Sequence, residues 1–152
     1  MLRSISRPKI SELDVAHIFA ARTIDAFRQD ALKRFGLTQI EWLTLCVVSA
    51  ATKKGGIRVT DLAKTFGVHS TYVTSVLNKL RTRGFIENRS DYTDARVRLA
   101  VLTKKGTKEF AVIERQLQQE IYGFFDGTIT DDEFVNYLNI TQKIANQTRQ
   151  KL

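Results

Sequence analysis

The residues best suited to chemistry in this chain of 152 residues are cations and hydrogen-bonding groups, and they gather in its middle. Between Lys53 and Lys105 stand 12 Lys and Arg against 4 Asp and Glu, while the rest of the chain holds 12 of each sign. The net charge of +8 is therefore carried by one third of the sequence. A basic module between neutral arms is the electrostatic footprint of a nucleic-acid reader. On charge alone, a solvated basic surface without a partner fits equally well. Covalent chemistry finds little to use. No glycine-rich phosphate loop, nucleophile elbow or metalloprotease helix motif occurs, and Gly55-Gly56 reads as a turn. One cysteine (Cys46) and two histidines (His17 and His69) far apart do not make a structural zinc set. The expectation is a protein that is not an enzyme, with no cofactor and no metal.

Cys46 lies among Leu43, Leu45, Val47 and Val48, which reads as a buried, inert thiol. Its nearest basic neighbours in sequence, Lys53 and Lys54, are a helical turn or more away, so nothing local lowers its pKa. The lone cysteine cannot form an internal disulfide, which fits a reducing compartment. Hydrophobic residues make up 43% and charged residues 26%, a globular composition with enough length for a real core. The longest apolar stretch, Leu45 to Ala51 with Ser49 inside it, is too short to span a bilayer. No charged-then-apolar leader is read at the start. A soluble, cytoplasmic protein is expected, with no membrane partner.

The elements that must position these groups follow from periodicity and caps. The first ten residues read as an arm. Ser11 then opens a helix whose seam is Leu13, His17, Ala20, Ile24, Phe27 and Ala31, widened by Val15, Ile18 and Phe19 and ended by Gly36. Thr38 with Glu41 is a capping box for a second helix, with Ile40, Leu43 and Val47 as its inner face. Ile57-Arg58-Val59 is a short strand candidate. A short helix capped by Thr60 and stopped by Gly67 comes next. A longer one follows from His69-Ser70-Thr71 to Arg83, with Val73, Val76, Leu77 and Leu80 inward and a polar outer face. Two short helices joined by a tight turn predict a helix-turn-helix. The period then changes to two, over Phe85–Arg89 and Val97–Leu102, with a charged loop between: a β-hairpin wing. Thr103 starts a fifth helix that frays near Gly123 to Gly127. Thr130 with Glu133 opens a sixth, with Phe134, Tyr137, Leu138, Ile140 and Ile144 buried.

The predicted class is mainly α with a small β-hairpin wing (α+β). It is a winged helix-turn-helix with N- and C-terminal dimerisation helices. Residues 37–105 form the winged DNA-binding region, and 1–36 with 106–152 form the helical dimerisation region, in one continuous compact chain. The apolar faces of the terminal helices exceed what one small winged module can cover. A second copy of the chain covers them most cheaply, as a two-fold homodimer.

The order and spacing of several motifs resemble the MarR family of bacterial transcriptional regulators. They are Gly36-Leu37-Thr38 with Trp42, Val59-Thr60-Asp61-Leu62-Ala63, and Val73-Thr74-Ser75-Val76-Leu77-Asn78-Lys79-Leu80. Arg83-Gly84-Phe85-Ile86, the wing's Asp94-Ala95-Arg96 and Leu102-Thr103-Lys104-Lys105-Gly106 follow in register. The resemblance spans roughly residues 12 to 149. It implies a dimer whose terminal helices intertwine, a recognition helix in the major groove and a wing tip in the adjacent minor groove. It also implies an effector pocket between the first, second and fifth helices, near His17, Trp42 and Cys46. The chain departs from the family at Asn78-Lys79, where Asp-Arg is common, and at Ser75, a position that is commonly basic.

On this reading His69, Ser70, Thr71, Tyr72, Thr74 and Ser75 reach bases or phosphates from the start of the recognition helix. Asn78 either bonds adenine or only solvates its helix. Lys79 and Arg81 meet phosphates. Arg96 enters the minor groove, with Asp94 orienting it through a hydrogen-bonded pair. Arg89 and Arg98 flank the backbone. Lys104 opposes the dipole of its own helix, which suits a nearby phosphate or a solvated start. The expected function is sequence-specific binding of a pseudo-palindromic double-stranded DNA operator by a dimeric repressor, with a small-molecule effector. The competing readings are a non-specific architectural nucleic-acid-binding protein and a winged-helix protein-interaction module.

Overall fold

The structure is a computed structural model that describes residues 9–149, with side chains through residue 146. Most of the N-terminal arm lies outside the described residues. The elements run α1 (Ile10–Lys33), α2 (Gln39–Thr52), α3 (Val59–Phe66), α4 (Ser70–Thr82), β1 (Ile86–Ser90), β2 (Arg98–Leu102), α5 (Lys104–Phe125) and α6 (Asp131–Arg149). This is the mainly helical winged helix-turn-helix that the periodicity predicts. The chain divides into two compact units, one ending at Leu117 and the other beginning at Gln118.

In the first unit the core is built where α2, α3, α4, the hairpin and the start of α5 converge. Leu32, Leu45, Val48, Leu62, Val73, Leu77, Leu80, Val101 and Ile113 are buried there. Each such side chain contributes roughly 1.5–3 kcal/mol of transfer free energy. The Thr38 hydroxyl accepts the Glu41 N–H at 3.4 Å and the Glu41 carboxylate accepts the Thr38 N–H at 2.8 Å, so the expected capping box starts α2. Its inner face differs from the expected one. Trp42, Leu45 and Val48 are buried, whereas Ile40, Leu43 and Val47 are half-buried. The reason is that α2 is apolar nearly all round, so periodicity alone does not select the side that meets the core.

Two further expectations are corrected between α2 and α4. The strand over 57–59 is a single bridge, Ile57 with Ala100. Helix α3 begins at Val59 with Arg58 as its cap and no side-chain cap bond, so Thr60 is already helical. The bridge at Ile57 fixes the incoming chain, and the Arg58 carbonyl accepts the N–H groups of Asp61 and Leu62, both at 3.1 Å. The turn to α4 is made at Gly67, whose φ of 64° is left-handed and whose N–H meets the carbonyls of Ala63 and Lys64.

The hairpin pairs Ile86 with Leu102 through Ser90 with Arg98, antiparallel. Thr103 locks it to α5. Its hydroxyl donates to the Gly84 carbonyl at 2.7 Å and accepts the Gly106 N–H at 2.8 Å. Gly106 lies so close to the start of β1 that an added Cβ would stand 1.9 Å from the Phe85 carbonyl oxygen. The Thr52 hydroxyl ties the end of α2 to β2, accepting the Leu102 N–H at 3.0 Å.

The outer helices do not bury their stripes within the chain. Residues 10–23 of α1 are all exposed, with Leu13, Val15, Ile18 and Phe19 among them; burial along its seam is reached only at Ala31. In the second unit the expected Thr130–Glu133 box is present, with the Glu133 carboxylate accepting the Thr130 N–H at 2.8 Å. The expected burial of α6 is not. Tyr137, Leu138, Ile140 and Ile144 are exposed and Phe134 is half-buried. Among the described residues Tyr122 meets Phe134 at 5.2 Å between ring centroids and Phe125 meets Phe134 at 6.2 Å.

Candidate nucleic-acid interface

Helix α4 separates its two faces cleanly. Val73, Val76, Leu77 and Leu80 are buried, which turns His69, Ser70, Thr71, Tyr72, Thr74, Ser75, Asn78 and Lys79 to solvent. His69 is the N-cap residue with extended backbone and makes no side-chain cap bond, so its ring is free to reach outward. The Thr74 hydroxyl donates to the Ser70 carbonyl at 2.9 Å and keeps its lone pairs for an incoming donor. The Arg81 guanidinium donates to the Asn78 side-chain oxygen. That leaves the Asn78 amide as a donor and holds Arg81, half-buried, beside it. Lys79 is exposed without an ion-pair partner among the described residues.

The wing is held by its own acids. One Asp91 carboxylate oxygen accepts the Thr93 N–H at 2.7 Å, the Thr93 hydroxyl and the Asp94 N–H at 3.3 Å. Those bonds, led by the Thr93 hydroxyl, hold the Asp91 carboxyl below its ordinary pKa. The Asp94 carboxylate accepts the Arg96 backbone N–H at 2.9 Å. Asp94 therefore orients Arg96 through the backbone rather than through the guanidinium pair expected from sequence. The physical reason is reach, since a short carboxylate two residues back meets the amide first. The Arg96 side chain is exposed and makes no ion pair among the described residues. Arg98 donates across the hairpin to the Ser90 hydroxyl. Arg89 stands 3.9 Å from Glu87, both well exposed, a pair worth about 0.2–1 kcal/mol at most. Lys104 is exposed at the start of α5, while Lys105 donates to the Arg83 carbonyl at 2.8 Å.

Arg83 is the residue that sequence reasoning missed. Its guanidinium donates to the carbonyls of Phe35 and Gly36, both at 2.7 Å, and lies 4.6 Å from the Phe85 ring centroid. It ties the α1–α2 turn to the end of α4. Its place just before Gly84, where a helix stops, was the available signal.

Of the expected effector residues, Trp42 is buried and stacks on Phe110 at 5.2 Å and 16°, which brings α2 and α5 together. Cys46 lies one turn further along α2 and is partly buried. His17 is exposed, and no hydrogen bond, ion pair or ring contact among the described residues joins it to either. Two open cavities lie elsewhere. One of about 610 Å³ is lined by Tyr122, Phe125 and Phe134 among others. One of about 550 Å³ is lined by Gln29, Lys33, Leu37, Gln39, Ile40 and Tyr72 among others. Burial pushes the Cys46 thiol up to about 12, with Glu114 raising it further and Arg28 opposing. A thiol in that state is not a nucleophile at neutral pH. The native protein is expected to leave a chromogenic disulfide reagent unreacted at pH 7.5 until denaturant is added. Full labelling of the folded protein within minutes would overturn this.

The winged segment, residues 35–97, matches the family model described as MarR family. The Transcriptional activatory protein BadR of Rhodopseudomonas palustris is 26% identical over 119 residues, which cover 78% of this chain and 68% of BadR. A MarR-family transcriptional regulator from Rhodococcus sp. RHA1 superposes with a TM-score of 0.73 at 19% identity, over 92% of this chain and 98% of that one. CouR from Rhodococcus jostii RHA1 gives 0.71 at 19% identity, over 88% and 91%. The family is one of transcriptional regulators, not of enzymes. The winged segment is thus similar to the MarR family, and the chain shares the fold of a MarR-family structure along nine-tenths of its length.

Proposed function

We propose that the chain is a homodimeric, sequence-specific double-stranded DNA-binding regulator that acts as a repressor and responds to a small molecule. One observation carries the DNA reading: a helix-turn-helix whose second helix turns polar and basic side chains, with Tyr72, to solvent, beside a wing that presents an unpaired Arg96. His69, Ser70, Thr71, Tyr72, Thr74, Ser75 and Asn78 address base edges. Lys79, Arg81, Arg89, Arg98 and Lys104 address phosphates, and Arg96 the minor groove, with Asp94 fixing its backbone.

The exposed apolar side chains of α1 and α6, with Val112, Tyr122 and Phe124 of α5, support the dimer, because a soluble monomer rarely leaves so many large apolar side chains in water. Residues 1–36 and 106–152 supply that interface. A two-fold dimer reads half-sites about 34–36 Å apart. Repression is the sign expected of a dimer that occupies its operator, whereas the relative BadR is by name an activatory protein. A reporter fused to the selected operator reads the sign directly. CouR, described as bound to p-coumaroyl-CoA, supports an effector. Trp42 and Cys46 are proposed to line its pocket from α2, with His17 contributed by α1.

The test is affinity for selected and random duplexes over a salt series, with wild type and Arg96→Ala. A selected site bound at least ~10³-fold more tightly than random DNA establishes specificity. Arg96→Ala is expected to reduce the slope of log K against log salt by about one per protomer, about two for the dimer, as one cation is lost from each wing. Equal, salt-dominated affinity for every sequence would make the protein an architectural one.

A further inference from the structure

Among the described residues, Tyr92 is the large apolar side chain most open to water: its relative exposure is 103%, against 71% for Ile10, the next highest. Its ring therefore contributes nothing to the stability of the chain. Exposure of this kind is unremarkable on a loose loop, but this loop is pinned on both sides of the ring. Asp91 before it and Thr93 after it are joined by the carboxylate bonds described above, and the Asp91 N–H donates to the Val97 carbonyl at 3.0 Å. The Val97 N–H in turn donates to the Asp94 carbonyl at 2.9 Å. The backbone that carries Tyr92 is thus fixed, and the ring is held outward at the tip of the wing.

The same turn presents Arg96, and Arg89 and Arg98 stand on the strands below. Both wing acids have an oxygen committed to the loop's own N–H groups, and the charge of Arg58 acts on Asp91. An aromatic ring among these cations is the one group at the tip whose attraction does not depend on charge.

We propose that Tyr92 is a DNA-contacting residue of the wing, its ring packing on the deoxyribose wall of the groove that Arg96 enters. The proposal rests on the DNA-binding reading above. The ring and the guanidinium then do different work at one place. Arg96 supplies the salt-sensitive part of the wing's affinity and Tyr92 a salt-insensitive part, since packing on sugar releases no counterions.

The experiment measures the Kd of the full-length protein for its selected duplex over a sodium chloride series, for wild type, Tyr92→Ala, Tyr92→Phe and Arg96→Ala. Tyr92→Ala is expected to weaken binding about tenfold at every salt concentration, a loss in the range of an aromatic contact with a nucleotide, with the salt slope unchanged. Tyr92→Phe keeps the ring and binds like wild type. Because the side chain touches nothing in the chain, the thermal midpoint of all the Tyr92 variants stays at the wild-type value. Wild-type affinity in Tyr92→Ala would overturn the proposal. So would a loss in Tyr92→Phe as large as in Tyr92→Ala, which would assign the contact to the hydroxyl. A reduced salt slope in Tyr92→Ala would overturn it too, because the ring would then be acting through the charges around it. Failure of the wild-type protein to bind any duplex at low salt is a different result, and removes the DNA-binding reading together with this one.

Discussion

Gly106→Ala is expected to lower the unfolding free energy by about 3 kcal/mol, at the upper end of what overpacking costs. The new Cβ would meet the Phe85 carbonyl oxygen at 1.9 Å, its carbon at 2.8 Å and the Phe85 Cα at 3.0 Å. All three are backbone atoms, so no side-chain rotation relieves the clash. Either the first turn of α5 or the start of β1 must move, and Thr103 binds the two together. Urea unfolding followed by circular dichroism should show a lower midpoint with an unchanged slope. Gly123→Ala is the matched control, since it lies in the same helix with nothing within 4 Å of its added Cβ. There the gain in helix propensity is expected to raise stability by about 0.5–1 kcal/mol. A Gly106→Ala protein as stable as wild type would mean that α5 does not approach β1 as described.

Arg83→Met is expected to cost about 2 kcal/mol and to weaken DNA binding along with it. Two charge-assisted hydrogen bonds to the Phe35 and Gly36 carbonyls disappear, as does the contact with the Phe85 ring. Partial exposure lets water replace part of what is lost, which keeps the figure below the sum of the separate contacts. Arg83→Lys retains the charge but not the planar fork that meets two adjacent carbonyls at once. It should therefore recover less than half of the loss. Thermal unfolding measures the first effect and duplex affinity the second. Were Arg83→Lys indistinguishable from wild type in both, the fork would have no role and only the charge would matter.

These two positions also show where the sequence was readable. Caps were, because Thr38 with Glu41 and Thr130 with Glu133 are local signals whose bonds close within one turn. The outward face of α4 was, because Val73, Val76, Leu77 and Leu80 mark one side unambiguously. The buried side of α2 was not, since a helix apolar nearly all round has no preferred face until its neighbours are in place. Thr60 reads as the cap of α3, yet the start of α3 is set by a bridge to Ala100, some 40 residues on. For Arg83, the place before Gly84 marked a helix end but not the clamp, as its partners lie 47 and 48 residues earlier. In the wing, Asp94 fastens the Arg96 backbone rather than its guanidinium. Spacing alone did not separate those two roles.

A lone two-stranded sheet offers two open edges, and an open edge is a template on which other chains can build cross-strand aggregates. Here each edge is closed by a different means. On the outer side of β2, Ala100 exchanges both backbone hydrogen bonds with Ile57, at 3.1 and 2.8 Å, and the Leu102 N–H is taken by Thr52. The outer side of β1 keeps its backbone groups but sets Glu87 and Arg89 in solvent beside them. A foreign strand would have to strip water from those charges before it could pair. The basic wing can therefore project from the molecule without being a seed for precipitation, even at the high local concentrations that a crowded stretch of DNA imposes on the proteins bound to it.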